Sequence, residues 1–498
     1  MASGPVAQEK LGIWMISVIG ATVKKIREDG RQAAFSPDGS QIVFLDGNTH
    51  EMSVMNADGS QAHAFLKPEA GYHYWKPIWL PQGRLLYLRA RLGGGHASIE
   101  LVTRDSKGGD PVLLFSSPKL ANYTTAQDGR LIVSLSEAPP NQYCSNLWEV
   151  RFDPGTGKPK GVPRRLTDWT GFNFYEVHLT ADNRQMVFLQ DRSQSDVYVA
   201  DLSKGKESNL PQRLTLNDRL DWPGSWLPDD KTVFLYSDRG GNFDIYKQSM
   251  GQHDAEAVVS GPEEKWAPTL SPDGKWVLYM QWPKTEGEAP VAGKIMRAPL
   301  GGGPSEAVME IKGHPGVYGS NFVADTVGGY PSFACPRQPG ATCILAESDE
   351  THVSFSSFDP EHGGRKEITK LSEEPGNVGW AISPDGARIA ASTFDFKESN
   401  VQIIPVAGGE GQKLSASPFT ELAAVAWTAD GKALILASQT SKATTVVRMS
   451  LNGPPEKLFQ WFSTYVASFT TSPDGHYLAI GAFNDDANAW LIPAFPSK

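Results

Sequence analysis

The stretch that decides the fold is Ala34-Phe35-Ser36-Pro37-Asp38-Gly39-Ser40-Gln41-Ile42-Val43-Phe44. An apolar run stops at Ser-Pro-Asp-Gly and resumes after two polar residues. Proline presets φ for a turn, aspartate can hydrogen-bond its own backbone, and glycine accepts a positive φ without steric cost. Two strand-like runs joined by so short a connection predict a β-hairpin.

The same hairpin signal recurs along the whole chain. Successive turns are about 45 residues apart in most cases, and each turn is followed by a third and a fourth short strand. Ten such modules predict the four-stranded blades of a β-propeller. The further turns are at 80–83, 126–129, 180–183, 227–230, 271–274, 336–340, 383–386, 428–431 and 472–475.

The second strands of these modules are nearly continuous apolar runs, such as Val233-Phe234-Leu235-Tyr236. A strand of this kind is typical of a sheet that is covered on both faces, as blades are by their neighbours. The predicted fold class is therefore all-β.

Ten modules exceed the four to eight blades with which propellers usually close, so we expect two rings. The preferred division gives an incomplete N-terminal propeller of about three and a half blades over residues 1–166. A seven-bladed propeller then occupies 167–498, although a division into four and six blades fits the modules equally. Because the chain begins inside a blade, we expect it to be cut from a longer polypeptide or started late.

The Ser-Pro-Asp-Gly hairpins and the run Ser237-Asp238-Arg239-Gly240-Gly241-Asn242-Phe243-Asp244-Ile245-Tyr246 resemble the TolB-like, WD-repeat-related propellers of bacteria. The resemblance covers almost the entire chain. More narrowly, the chain resembles the C-terminal propeller region of some winged-helix regulators and transmembrane Ser/Thr protein kinases. The resemblance implies a sensory or interaction module, but the motif is specific for fold and weak for function.

The net charge and the hydropathy of the sequence argue against nucleic-acid and membrane-spanning roles. A net charge of −10 argues against a nucleic-acid surface, which is basic on one face. No segment is long enough to span a bilayer as a helix. The apolar run at 11–20 matches a third strand better than the core of a signal peptide, since it lacks a strong basic leader and a cleavage site.

The chain has three cysteines. Cys335 and Cys343 lie on the two sides of a predicted turn, where a disulfide and two free thiols are both open. A disulfide would indicate an oxidising compartment, so a periplasmic or extracytoplasmic location is favoured over the cytoplasm. Cys144 is predicted to be a small buried residue rather than a nucleophile.

Motifs that carry chemistry are missing from the sequence. It has no Gly-x-Ser-x-Gly elbow, no His-Glu-x-x-His pair, no Walker loop and no dinucleotide-binding glycine pattern between a strand and a helix. We therefore expect a non-enzymatic protein without metal or cofactor, and a propeller-type glycan lyase, hydrolase or peptidase-associated propeller as the alternative. Scattered histidines and two acidic pairs without calcium-loop spacing are weaker candidates: His50, His63, His73, His96, Asp349-Glu350 and Asp485-Asp486.

One aromatic position recurs eight residues before the last turn residue in four modules. Equivalent side chains at the start of the innermost strands are predicted to ring one mouth of a channel and to grip a protein, peptide or ligand. The alternative is that each aromatic wedges between adjacent blades. The four residues are Trp75, Tyr175, Trp222 and Trp266.

Two insertions interrupt the seventh module, at 283–293 and around 313–330. Both are rich in glycine, proline and acidic residues and are predicted to form long surface loops. Long loops on a rigid scaffold carry binding residues, but tolerated length variation explains them as well.

Overall fold

The computed structural model of the chain contains 39 strands, and none of the residues that it describes forms a helix. Among these residues there is consequently no helix with the length and apolarity needed to cross a membrane. The described residues are 12–17, 23–47, 49, 51–67, 69, 72–80, 83–91, 99–126, 130–137, 144–169, 172–180, 182, 184–203, 210–283, 293–311, 331–348, 352–371, 378–393, 400–440, 443–462 and 464–492.

The chain forms two compact units. The N-terminal unit consists mainly of Val6–Arg192 and Asp486–Lys498, and the C-terminal unit consists mainly of Ser193–Glu286 and Pro290–Asp485.

Sixteen strands lie in the first part of the chain. They are β1 (Gly12–Ile16), β2 (Val23–Glu28), β3 (Gly30–Phe35), β4 (Gln41–Asp46), β5 (Met52–Asn56), β6 (His63–Leu66), β7 (Tyr72–Trp79), β8 (Arg84–Arg91), β9 (Ile99–Asp105), β10 (Val112–Ser117), β11 (Leu120–Thr125), β12 (Arg130–Ser136), β13 (Ser145–Phe152), β14 (Pro159–Arg165), β15 (Asn173–Leu179) and β16 (Met186–Asp201).

The remaining strands follow in order. They are β17 (Gln212–Arg213), β18 (Asp221–Trp226), β19 (Thr232–Ser237), β20 (Asp244–Ser249), β21 (Glu256–Val259), β22 (Glu264–Leu270), β23 (Trp276–Trp282), β24 (Gly293–Pro299), β25 (Glu306–Ile311), β26 (Ser332–Ala334), β27 (Cys343–Ser348), β28 (Val353–Asp359), β29 (Gly363–Leu371), β30 (Val378–Ile382), β31 (Arg388–Thr393), β32 (Asn400–Pro405), β33 (Gln412–Ser415), β34 (Leu422–Trp427), β35 (Ala433–Gln439), β36 (Ala443–Ser450), β37 (Pro455–Phe462), β38 (Tyr465–Thr471) and β39 (Tyr477–Ile492).

The four-stranded antiparallel sheets follow chain order, as blades do. Eight sheets have this form: β3–β6, β7–β10, β11–β14, β18–β21, β22–β25, β26–β29, β30–β33 and β34–β37. The predicted all-β fold with four-stranded blades is confirmed. Each predicted turn lies between the first two strands of a sheet, and Gly39 and Gly386 take a φ of 72° there.

The closing sheet of the C-terminal unit combines strands from distant parts of the chain. Its order is β38-β39-β16, and β17 pairs with β16. The amide of Leu202 donates to the carbonyl oxygen of His476 at 2.7 Å. β16 and β39 each contribute residues to both units. The ring of this unit therefore closes by joining its first strands to its last ones.

Apolar side chains pack between neighbouring sheets of the C-terminal unit. One core joins Val401 of β32 to Leu434 of β35, and another joins Val197 of β16 to Val233 of β19. Further cores lie between β22–β25 and β26–β28, between β26–β29 and β30–β31, and between β34–β37 and the closing sheet. Six sheets thus surround one axis in this unit.

The N-terminal unit is layered in the same way. Ile13 of β1 packs on Phe44, and β3–β5 pack on β7–β9 through Val43 and Tyr87. Leu86 and Leu131 lie in one core between the next two sheets, and Ile132 packs with Phe174 of β15.

Several sequence predictions concern the bounds of these units. The predicted boundary between 166 and 167 lies one hairpin before the point near Arg192 at which the chain passes from one unit to the other. The predicted seven-bladed ring counted the hairpin β15–β16, whose first strand belongs to the N-terminal unit, so the division into 1–166 and 167–498 stays a prediction. Residues 284–292 and 312–330, which make up the predicted insertions, lie outside the described residues.

Candidate functional site

A channel of about 460 Å³ lies along the axis of the C-terminal unit. The innermost strands of all six sheets line it: β18, β22, β26, β30, β34 and β38. Because each blade presents the same strand to the axis, the wall is built from equivalent segments of six strands rather than from a single loop. The channel has the size and position of a ligand or peptide site.

Three indoles beside the channel join neighbouring sheets. The Nε1 of Trp226 donates to the carbonyl oxygen of Thr470 at 2.9 Å, and that of Trp427 donates to Ala381 at 3.2 Å. Trp380 donates to the Ser332 hydroxyl at 2.8 Å. Because all three indoles are buried, these bonds hold neighbouring sheets together behind the channel wall and fix its shape.

The repeated turns lie at one end of this channel. In the turn at 383–386 the Ser383 hydroxyl donates to the Asp385 carboxylate, which also accepts from the Ala387 amide at 3.0 Å. The Ser383 hydroxyl is the main reason why the pKa of Asp385 lies below its ordinary value. The turn carboxylates are therefore occupied within their own turns, where they hold the hairpin in shape.

Arg337 lies at the same end of the channel and departs from the repeated pattern. It follows Pro336 in the turn between β26 and β27, and its guanidinium crosses to the sheet three places further round the ring. There it donates to the carbonyl oxygen of Ser472 at 3.1 Å and to that of Thr471. Although Arg337 keeps part of its surface exposed, burial lowers the pKa of its guanidinium, while Asp230 and Asp474 act in the opposite direction.

A disulfide between Cys335 and Cys343 closes the loop that carries Arg337. The two Cα atoms are 4.2 Å apart, and the two residues are eight positions apart in sequence. Cys144 lies outside this disulfide and is intermediate in exposure, so the prediction that it is buried is wrong. The Arg337 turn is thus tied at its base by a covalent bond.

Three of the predicted channel-mouth aromatics have described side chains, and all three pack between elements. Trp222 is 1% exposed and stacks on Phe483 with ring centroids 6.4 Å apart. The ring of Trp266 meets that of Phe243 edge-on at 6.0 Å, and Trp75 packs against the core between β7–β10 and β11–β13. These contacts agree with the wedge interpretation.

The predicted binding role of these aromatics stays a prediction. The residues that line the described channel include Pro223 and Pro268, which follow Trp222 and Trp266, but not the two indoles themselves. Tyr175 lies in β15 of the N-terminal unit, and its side chain is outside the described ones.

A buried group of three carboxylates lies beside β18. Asp196, Asp221 and Asp238 are 1%, 0% and 3% exposed. Arg213 donates to Asp196 at 2.7 Å and Arg239 donates to Asp221 at 2.6 Å. Burial is the main cause that raises the pKa of Asp196 and of Asp238 to about 6, and the charge of Asp221 raises both further.

A second polar group lies at the centre of the N-terminal unit, where four innermost strands each contribute one residue. The Lys76 ammonium donates to the Asn122 side chain at 2.6 Å and lies 3.6 Å from Glu176. The Lys76 amide donates to the Gln32 side chain at 2.8 Å. Burial lowers the pKa of Lys76, whereas Glu176, whose own pKa is lowered to about 2 mainly by His178, favours the charged amine.

The backbone is unusual at the same place. Gln32, Lys76 and Glu176 have φ values of 51°, 48° and 45°, and each lies where the pairing of an innermost strand shifts register. A non-glycine residue in this region is strained unless its surroundings hold it there. The contacts of the Gln32 side chain with the Lys76 amide and of the Glu176 carboxylate with the Lys76 ammonium stabilise these bulges.

The weaker candidates contribute no shared site in the described part of the chain. No group of three histidine, cysteine or carboxylate side chains that could hold a metal ion occurs among the described residues. His63 is exposed, and the ring of His73 stacks on that of Trp75 with the two ring centroids 6.0 Å apart. The pair at 349–350 and the residues His50 and His96 lie outside the described residues, as do the side chains of Asp485 and Asp486.

Sequence reasoning missed two functional candidates, Arg337 and Lys76. For Arg337 a signal existed, because the other five turns of this unit have aspartate three residues after the innermost strand. For Lys76 the signal was weaker: a charged residue directly follows the recurring aromatic Trp75 in an innermost strand.

No family model matches the chain. The chain is similar to Uncharacterized protein Atu1656 of Agrobacterium fabrum, at 23% identity over 257 residues, which are 49% of this chain and 78% of that protein. Among solved structures it is similar to TolB from Acinetobacter baumannii, with a TM-score of 0.38 and 12% identity over 72% of this chain and 81% of TolB. The Dos1 propeller aligns with a TM-score of 0.28 and 8% identity over 86% of this chain and 94% of its own. At these identities the likeness concerns the fold alone.

Proposed function

We propose that the chain is a non-enzymatic propeller scaffold whose C-terminal unit binds a protein or peptide in its channel. The observation that carries the proposal is the channel of about 460 Å³, whose wall is held in shape by the hydrogen-bonded indoles of Trp226, Trp380 and Trp427. A cavity that is already formed binds a partner with little loss of conformational entropy.

The same scaffold suits the sensory or interaction part of a bacterial signalling or regulatory protein, which is the role that the TolB-like resemblance implies. The Cys335–Cys343 disulfide fits a periplasmic or other extracytoplasmic location, because such bonds persist in oxidising compartments. A ring of repeated strands can recognise a partner by shape and non-covalent contacts, without catalytic residues at the channel wall.

The experiment is a selection of peptides from a phage-displayed random library on the immobilised full chain. Thr269 and Ile382 are partly exposed residues of the channel wall, so Thr269→Glu and Ile382→Glu place a charge in the channel without removing an indole. We expect a selected peptide to bind these variants about tenfold or more weakly than the unmodified chain, because an unpaired carboxylate is costly in an apolar site.

Val162→Glu is the matched control, because Val162 is 87% exposed on the outer strand β14. The peptide is expected to bind this variant normally. The same peptide is then measured on Trp222→Ala and Trp266→Ala, which tests the predicted aromatic ring directly. If no peptide is enriched, or if Val162→Glu weakens binding as much as Ile382→Glu, the proposal fails.

A propeller-type enzyme is the second candidate, and the buried carboxylates favour it. Asp196 and Asp238 have a raised pKa beside Asp221, which is a pattern found in acid–base catalysis. None of the three is among the described residues that line the channel, and all three are buried, which favours the scaffold. Turnover of chromogenic glycosides or peptides that is lost in Asp221→Asn would favour the enzyme instead.

A further inference from the structure

We propose that the turn end of the channel is a binding site for a guanidinium group, which the resting protein fills with its own Arg337. In a complex, the arginine side chain of a partner peptide takes this place. The inference rests on the proposed function, because it names the chemistry of a partner for the same channel.

The receptor consists of main-chain oxygens. The carbonyl groups of Thr471 and Ser472 accept from the two terminal nitrogens of Arg337, at the point where β38 ends. Two adjacent acceptors match the planar fork of a guanidinium, whereas an ammonium group offers one charged point. The selectivity of the site therefore lies in geometry as well as in charge.

Carboxylates near the receptor make it suitable for a cation. Asp230 and Asp474 favour the charged form of Arg337, and the Asp474 amide donates to the Asp230 carboxylate at 2.7 Å. This bond joins the first and the last turns of the ring. The charged group thus lies where the carboxylates of two neighbouring turns are fixed relative to each other.

The occupant departs from the rule of its repeat. Three residues after the innermost strand, the other five turns of the unit have aspartate, as Asp229, Asp273, Asp385, Asp430 and Asp474. An arginine that breaks the rule of the repeat, and then reaches across the channel, is explained by what it contacts. Arg337 is in this sense an internal ligand.

The Arg337 side chain can also leave the guanidinium site without disturbing the sheet that carries it. Arg337 is exposed at the turn, and its side chain contacts carbonyl oxygens of a different sheet. The Cys335–Cys343 bond holds the base of the turn whether or not the guanidinium is in place. Exchange for a second guanidinium therefore requires a side-chain rotation only.

The test is chemical rescue of Arg337→Ala in the full chain. The guanidinium contacts carbonyl oxygens of a different sheet and the Cys335–Cys343 bond holds the turn, so the variant is expected to fold. Isothermal titration calorimetry with methylguanidinium is expected to show saturable binding to Arg337→Ala at millimolar concentration. Binding to the unmodified chain is expected to be at least about tenfold weaker, because Arg337 competes within the molecule.

Two control variants test whether the binding depends on the Arg337 site and on the charge of Asp230. Arg297→Ala removes an arginine that pairs with Glu306 at 2.8 Å on outer strands, and it is expected to bind no methylguanidinium. In the Arg337→Ala background, Asp230→Asn keeps the oxygen that accepts from Asp474 but removes the charge, so the affinity is expected to fall severalfold.

Methylammonium, titrated under the same conditions, shows whether the site recognises the shape of a guanidinium or only its positive charge. Equal binding of the two cations to Arg337→Ala overturns the guanidinium assignment, and so does the absence of saturable methylguanidinium binding to a folded Arg337→Ala chain. Because no partner is present, this result is independent of the peptide selection. If methylguanidinium binds Arg337→Ala but no peptide is selected, the proposed function is rejected. If a peptide is selected but methylguanidinium does not bind Arg337→Ala, only the present inference is rejected.

Discussion

The indole nitrogen of Trp226 donates a hydrogen bond of 2.9 Å to the carbonyl oxygen of Thr470, a residue 244 positions later in the chain. The bond joins the first complete sheet of the C-terminal unit to the closing sheet. Trp226 is 2% exposed, so the loss of the bond leaves a carbonyl group without its donor at the junction.

We therefore expect Trp226→Phe, which keeps an aromatic ring, to lower the free energy of unfolding of the C-terminal unit by about 1 to 2 kcal/mol. Urea denaturation followed by fluorescence measures the change. Trp490→Phe is the control, because Trp490 is 52% exposed. Equal stability of Trp226→Phe and the unmodified chain would show that the bond does not contribute to ring closure.

The disulfide is expected to stabilise the Arg337 turn by restricting the unfolded chain. Replacement of both Cys335 and Cys343 by alanine should lower the free energy of unfolding by about 2 to 3 kcal/mol, as expected for a loop of this length. Denaturation with and without dithiothreitol should show the same loss in the unmodified chain. Cys144→Ala, which removes the cysteine outside the disulfide, should behave like the unmodified chain. A midpoint that dithiothreitol leaves unchanged would contradict the prediction.

The pH dependence of stability should report on Asp238. Because burial raises its pKa from 3.8 to about 6, the folded chain binds this proton more tightly than the unfolded chain does. The resulting stability is fully present below pH 3.8 and is lost as the pH rises through about 6. Arg219 and Asp221 are the charged groups that act on Asp238.

Asp238→Asn keeps an oxygen that can accept from the Leu220 amide and removes the titration. Relative to this variant, the unmodified chain should lose about 2 kcal/mol between pH 4 and pH 7. Thermal unfolding at several pH values measures the difference. A constant difference across this range would mean that Asp238 ionises normally in the folded chain.

The Lys76–Glu176 pair should couple two innermost strands of the N-terminal unit. Glu176→Gln is expected to lower stability by about 1 kcal/mol, because the partly buried Lys76 ammonium loses its countercharge. Lys76→Met together with Glu176→Gln should recover part of this loss, since no unpaired charge remains. Additive effects in the double-mutant cycle would show that the two side chains act separately.

The turns of this protein could be predicted from its sequence because their information is local. Ser383, Asp385 and Gly386 each supply one property that the turn needs, and the structure shows Ser383 and Asp385 bonded to each other. The apolar second strands were equally readable, since Val233 and Leu235 are fully buried between sheets. Fold class and strand order followed from these two signals.

Other features could not be read because they depend on residues far apart in sequence. Nothing near Arg337 indicates that its partners are Thr471 and Ser472. The closing sheet, in which β16 pairs with β39, likewise requires knowledge of the ring. The long runs of β16 and β39 without an internal turn were the available sign, since elsewhere a turn separates the second strand from the third.

The closing sheet also determines when the C-terminal unit can complete its folding during synthesis. Trp226 is synthesised 244 residues before Thr470. At ordinary translation speed the early strands of the C-terminal unit therefore wait roughly 10 to 50 s for their partners. During that interval β16 and β18 expose edges and apolar faces that only β38 and β39 cover later, so a nascent chain of this protein is a natural client for chaperones.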